Sequence, residues 1–318
     1  MKIVQGDQVE WVRGLEHRGG TFHFRHLIDG EPGTIDNFSL SMGRNDKDFV
    51  SPRHQHNFDQ FRFQLEGDLN FARDGKMTPG MVGYFPEGSS YGPQTSDATA
   101  MTLVLQFGGA SGGGYLSRQE TKQATNELKV LGTFDDGVYR RNEGVPGKRN
   151  LDGFQAIWEH VNKRPLHFPK ARYPQPIMMD AGHYDWVASA GNPGVEEKLL
   201  GVFTERRTEA RMVRLNPGIT LRAGGRAIYV ACSGSGRVEQ EPLRQYTAVF
   251  LEHGEAAAFT AETTAELLHL GLPDLRGLAA QPSHAVARRI ARSHRAGRFF
   301  AHSVYFFALA CVSAKYCA

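Results

Sequence analysis

The sequence predicts an all-β protein of two tandem barrels joined by a helix and a linker. Three observations carry this reading. Short β-type runs bounded by turn-forming residues fill residues 1–110, and a similar series resumes after residue 195. The composition, with 36 Gly, 15 Pro and 20 Phe among 318 residues, is that of a turn-rich sheet protein. A chain of this length can bury two cores.

In the first half the runs are 21–27, 38–41, 58–65, 81–85 and 101–107. Gly, Pro, Asp or Asn flank each one, supplying positive φ or a fixed turn. The glycine-rich break at 108–114 precedes 117–131, which reads as a helix. Ser117 stands as its N-cap, with Glu120 three residues on completing a capping box. Residues 132–195 lack clear periodicity and are expected to be connecting structure with some strand. Runs resume at 199–205, 210–215, 227–232, 247–251, 256–260 and 266–270. The expected organisation is a first barrel over 1–115, a helix and linker region over 116–195, a second barrel over 196–275 and a tail over 276–318.

The formal net charge of +3 conceals an asymmetry. From Arg276 onward there are seven basic residues and no acidic one, so 30 basic against 34 acidic residues leave the body near −4. A body of that sign is not a nucleic-acid binder. Cys232, Cys311 and Cys317 form no disulfide framework and have no zinc-like spacing. No apolar core of signal-peptide length follows Met1, so a cytoplasmic location is expected. The apolar run at 299–314 falls short of the about 20 residues of a membrane span, so the tail is expected to pack on a barrel or to extend from it.

The informative segment is 51–93. It contains His54-Gln55-His56-Asn57-Phe58-Asp59-Gln60, then Gly67, then Gly80, Pro86, Gly88 and Tyr91. On a strand, alternate residues share a face, so His54, His56, Phe58, Gln60, Arg62 and Gln64 would point one way and Phe61, Phe63 and Leu65 the other. An interior holding two imidazoles, two amides and a guanidinium calls for partners or a ligand.

These positions resemble the two motifs of the cupin superfamily. The first, roughly G-x5-H-x-H-x3-4-E-x6-G, falls on Asp48, His54, His56, Gln60 and Gly67. The second, G-x5-P-x-G-x2-H-x3-N, falls on Gly80, Pro86, Gly88, Tyr91 and Thr95. The resemblance implies jelly-roll barrels and a divalent transition metal (Fe, Cu, Ni, Zn or Mn) held by His54, His56, Gln60 and Tyr91. It points to an oxidoreductase or dioxygenase acting on a small organic substrate, acidic or phenolic in character, and to pairing of barrels in a homodimer. Gln60 stands where the family has Glu and Tyr91 where it has His, which weakens the case for a cation. In that reading Arg62 pairs with a substrate carboxylate or enolate oxygen, Gln64 and Phe58 contact substrate, and Tyr91 donates a proton or hydrogen bond. Asp59 would replace Gln60 at the ion if the strand entered with a bulge.

In the second half, Gly234 aligns with Gly67, which puts Thr220, Arg222 and Ala227 at the first motif's ligand positions and Ala257 at the second's. No ligand type survives there, so this barrel is expected to be structural or a metal-free pocket. His253 and His269 read as surface or packing residues. The alternatives to a metal enzyme are a metal-free binding protein, or a cupin isomerase, cyclase or lyase.

Overall fold

Alternation along single strands explains how the sheets pack. The computed structural model describes residues 1–14, 21–96 and 98–278. In chain order the principal strands are β1 (Lys2–Gln5), β2 (Val12–Arg13), β3 (Phe22–Asp29), β4 (Phe38–Asn45), β5 (Asp59–Glu66), β6 (Met81–Phe85) and β7 (Ala100–Phe107). After the connecting region come β8 (Ile177–Asp180), β9 (Val187–Ala188), β10 (Val195–Val202), β11 (Glu209–Leu215), β12 (Ala227–Ser233), β13 (Thr247–Leu251) and β14 (Ala265–Gly271). They form two seven-stranded antiparallel sheets, ordered β8-β6-β5-β7-β4-β3-β2 and β1-β13-β12-β14-β11-β10-β9.

On β5, Phe61 and Phe63 face one way and Gln60, Arg62 and Gln64 the other, and all five are buried. The phenylalanines join Leu40, Met42, Leu103 and Leu105 in a core that continues into Met212, Ile228, Val230 and Leu268 of the second sheet. The two large sheets therefore pack face to face, each fully buried side chain contributing about 1.5–3 kcal/mol. Smaller sheets cover the other faces. A four-stranded one, containing Thr220–Gly224 and Ala256–Ala261, covers the second.

Adding seven to each strand number maps one sheet order onto the other, with one exchange. β1 lies within residues 1–115 yet pairs along β13 of the second sheet, while β8, in the connecting region, pairs along β6 of the first. Strand pairing thus crosses the boundaries expected from the sequence. Each exchanged strand leads through a short 3-10 turn into a Trp and an edge strand, in Glu10-Trp11-Val12 and again in Asp185-Trp186-Val187. Trp11 lies between Arg25 and Arg44, at 4.7 and 5.0 Å, and Trp186 between Lys198 and Arg214, at 4.7 and 4.4 Å.

The alignment of Gly234 with Gly67 holds structurally. Both have positive φ, +83° and +64°, and a Cβ on either would meet a backbone carbonyl, that of Thr264 or Thr99, at 2.3 or 2.5 Å. The helix α1 (Arg118–Lys129) carries the expected capping box between Ser117 and Glu120. Residues 132–195 hold more structure than expected. A three-stranded sheet, Gly132–Asp135, Val138–Arg141 and Asn150–Asp152, leads into a second helix, α2 (Gly153–Asn162). Asp152 caps α2 by accepting from the Gln155 amide at 3.0 Å, and Phe154, Ile157 and Trp158 bury its inner face with Leu128 of α1. Among the described residues no helix is long and apolar enough to cross a membrane. The tail at 279–318, with Cys311, Cys317 and the apolar run, lies outside the described residues.

Candidate active site in the first barrel

The inner wall of the first barrel is laid out by strand register. Arg62 of β5 stands beside Val104 of β7, which stands beside Ser41 of β4, and Ser41 pairs with His26 of β3. One level towards the start of β5 lie Gln60, Gln106 and Ser39. These residues line a cavity of about 530 Å³. The segment before β5 adds His54, His56 and Phe58, and α1 and α2 add Arg118, Lys122 and Phe154.

His54 and His56 precede the strand rather than lying on it. A backbone bridge between His54 and Tyr91 brings the two motifs together. His54 Nε2 lies 3.0 Å and His56 Nε2 2.6 Å from the Tyr91 hydroxyl, and the Arg62 guanidinium donates to the same oxygen at 3.0 Å. Arg62 Nε also donates to Gln60 Oε1 at 2.5 Å, and the guanidinium carbon stacks 4.4 Å from the centre of the Phe85 ring. The proton positions follow from chemistry. His54 Nδ1 is 2.7 Å from the Pro52 carbonyl, an acceptor only, so Nδ1 carries the proton. In the neutral ring Nε2 then accepts from Tyr91, whose oxygen in turn accepts from Arg62 and His56. Phe58 stacks on His56 at 4.2 Å with the rings 12° apart, fixing the imidazole plane.

The other face of β5 carries a separate polar group. Asp59 is fully buried, accepting from Tyr84 Oη at 2.9 Å and the Glu87 amide at 2.8 Å. Burial, with help from nearby Glu87, pushes its carboxyl up to about 7. Glu87 is held by Arg172 at 3.1 Å, and Arg172 also pairs with Glu205 at 2.7 Å, tying the linker to both halves. On the cavity wall, burial and the nearby Arg118 bring His26 down to about 4, so it is neutral at physiological pH.

No protein-family model matches the sequence, and no curated protein matches it. Solved structures do match by fold. A Nostoc punctiforme protein described as a candidate dioxygenase superposes with a TM-score of 0.58 over 88% of this chain and 85% of its own, at 12% identity. An oxalate decarboxylase superposes with a TM-score of 0.50 over 91% of this chain and 83% of its own, also at 12% identity. The fold is a bicupin. Likeness at this identity speaks for the fold and leaves the site to its own geometry.

In this chain the motif residues do not fit a resident divalent ion as they stand. Two ligands of one ion, each about 2.0–2.2 Å from it, sit about 3 Å apart or more, whereas His56 Nε2 and Tyr91 Oη are 2.6 Å apart. The Arg62 cation donates to that same oxygen, and no carboxylate joins the set. Among the described residues no group of three or more His, Cys, Asp or Glu is placed to hold a metal. Gln60, expected as a ligand, is committed to Arg62. Asp59, the alternative, points the opposite way because no bulge interrupts its pairing with Phe107. Gln64, expected to touch substrate, instead secures the strand end through the Glu66 and Gly67 carbonyls and Thr102.

Tyr91, Arg62, His54, His56 and Phe58 are brought together as the spacing implied. The sequence reading missed His26, Tyr115, Phe154, Arg118 and Lys122. The alternation Phe22-x-Phe24-x-His26 was the available signal for the first. Tyr115 lies in the segment before α1, and Phe154, Arg118 and Lys122 come from helices whose docking the sequence does not reveal.

In the second barrel the matching inner positions of β12 are Ala227, Tyr229 and Ala231, packed against Val249, Leu251 and Phe259. His269 is buried beside Tyr229, ring centres 4.8 Å apart, and burial with Arg211 nearby takes it down to about 3. It is a packing histidine.

Proposed function

We propose that the first barrel is an acid–base site for a small organic anion, working without a resident metal ion. The observation that carries this is the convergence of two imidazoles and one guanidinium on the Tyr91 hydroxyl in the cavity of the first barrel. Arg62 supplies the charge that seats a carboxylate or enolate oxygen. The donors from Arg62 and His56 stabilise negative charge on Tyr91 Oη, and His54 Nε2 receives its proton. Tyr91 can therefore take a proton from, or return one to, a carbon next to the bound acid. Positioned proton transfer of this kind is worth about 10²–10⁴ in rate. Isomerisation, lyase and decarboxylation chemistry all use that step.

A metal-dependent oxygenase is the second reading, favoured by the fold likeness to the Nostoc protein. The two separate cleanly. Elemental mass spectrometry of purified protein is expected to find transition metal far below one ion per chain. Deuterium from D₂O is expected to enter 2-oxo and 3-oxo acids, phenylpyruvate among them, faster with the protein than without, and Tyr91→Phe to lose that acceleration. A near-stoichiometric metal that disappears in the His54→Ala/His56→Ala double variant would overturn the acid–base reading in favour of the oxygenase.

A further inference from the structure

The cavity is large and uniformly signed. About 530 Å³ is the size of site that holds a drug-sized molecule, far more than a two-carbon acid such as oxalate fills. Among the described residues lining it there is no Asp or Glu, although the body of the chain is net acidic. Its cations are one deep side chain, Arg62, and three exposed ones, Arg13 on β2 and Arg118 and Lys122 on α1. Arg62 lies deep, 9% exposed. Arg118 and Lys122 are exposed at the opening, four residues apart on α1 and so on one face of it. Arg118 shares its charge with Asp29 at 3.1 Å, so Lys122 is the α1 cation that brings unshared charge to the rim.

The wall is aromatic as well: Tyr115 and Phe154 pack edge-on against Phe58 on the α1 side, while Phe22, Phe24 and Phe49 lie beyond the level of Arg62. Register gives the scale. His26, which feels the charge of Arg118, is three strands from Arg62 at one level, about 14 Å along the curved wall.

We infer that this cavity takes an elongated aromatic dianion, with one acid group on Arg62, its ring system on Phe58, Tyr115 and Phe154 and the second acid group at Lys122. The assignment rests on the cavity being the substrate site of the proposed acid–base chemistry. It adds the substrate's length, its rings and its second charge. A monoanion fills only the deep end, and a neutral ring compound gains the wall and neither charge.

Isothermal titration with three probes tests it: 4,4′-biphenyldicarboxylate, 4-biphenylcarboxylate and 4-biphenylmethanol, with oxalate beside them. The dicarboxylate is expected to bind tightest, about tenfold better than the monoacid. Lys122→Gln is expected to abolish that advantage while leaving the monoacid unchanged, and Arg62→Gln to weaken both acids by about tenfold or more. Should Arg62→Gln fail to fold, exposed Lys122 still decides. The inference is overturned if the alcohol or oxalate binds as well as the dicarboxylate, or if Lys122→Gln leaves the dicarboxylate's advantage intact. Failure of the deuterium exchange with this binding pattern intact would remove the acid–base reading and keep the ligand class. Exchange without the binding pattern would do the reverse.

Discussion

Gln60, Arg62 and Gln64 line the first barrel where Ala227, Tyr229 and Ala231 line the second, while the residues between them, Phe61 and Phe63 against Ile228 and Val230, are apolar in both. The outer faces resemble each other because they pack against each other, and a polar side chain on either would be buried in the shared core. The inner faces meet only their own barrel and are free to diverge. One has kept polar groups around a cavity, and the other has filled mainly with Val, Leu, Ala and Phe, with Tyr229 and His269 packed among them. The shared face holds the fold, and the private face carries the chemistry.

The largest test of that division is catalytic. Tyr91→Phe is expected to cut deuterium exchange by about 10²–10⁴, and Tyr229→Phe in the second barrel to change it less than about twofold. Equal losses would mean that the second barrel takes part. The next is mechanical. Phe259→Ala, at the filled core of the second barrel, is expected to cost about 3–5 kcal/mol in urea denaturation. Phe24→Ala, on a wall already facing a cavity, is expected to cost about 1–2 kcal/mol because little packing is lost there. Matching costs would show that the first interior is packed like the second.

The smallest is the pH response, where the two halves have opposite signs. Asp59 binds its proton more tightly folded, near 7, than unfolded, near 3.8. Its contribution is present below pH 4 and lost as pH rises through 7. His269 binds its proton less tightly folded, near 3, than unfolded, near 6.5, so its contribution is lost as pH falls through that window. Asp59→Asn is expected to flatten the stability profile between about pH 4 and 7, and His269→Leu that between about pH 6.5 and 3, each on the order of a few kcal/mol. Profiles that do not change would place neither group in the titrations assigned to it.

Much of this was legible in the chain. Gly67, His54, His56 and Tyr91 fall at motif spacing, and the structure joins them through one backbone bridge. Ser117 and Glu120 announced α1. What a lone sequence withheld was commitment. Gln60 and Gln64 face inward as alternation required, yet their amides are engaged by Arg62 and by the strand end, which depends on side-chain reach rather than spacing. The helix α2 was readable, with Asp152 as cap and Phe154, Ile157, Trp158 and Val161 at helical intervals, but the Gly and Pro around it masked the period. The paired Glu10-Trp11-Val12 and Asp185-Trp186-Val187 marked the duplication more plainly than strand counting did.

The exchange of β1 and β8 constrains how the chain can be made. β1 is made before every other described strand and finds its neighbour only when Thr247–Leu251 has been synthesised, so it waits while all the strands between them are made. The first sheet is likewise incomplete until Ile177–Asp180 emerges. A gene divided in the connecting region ahead of Ile177 would yield two products, each lacking a strand that the other carries. The two copies have been free to change their contents and have not been free to part.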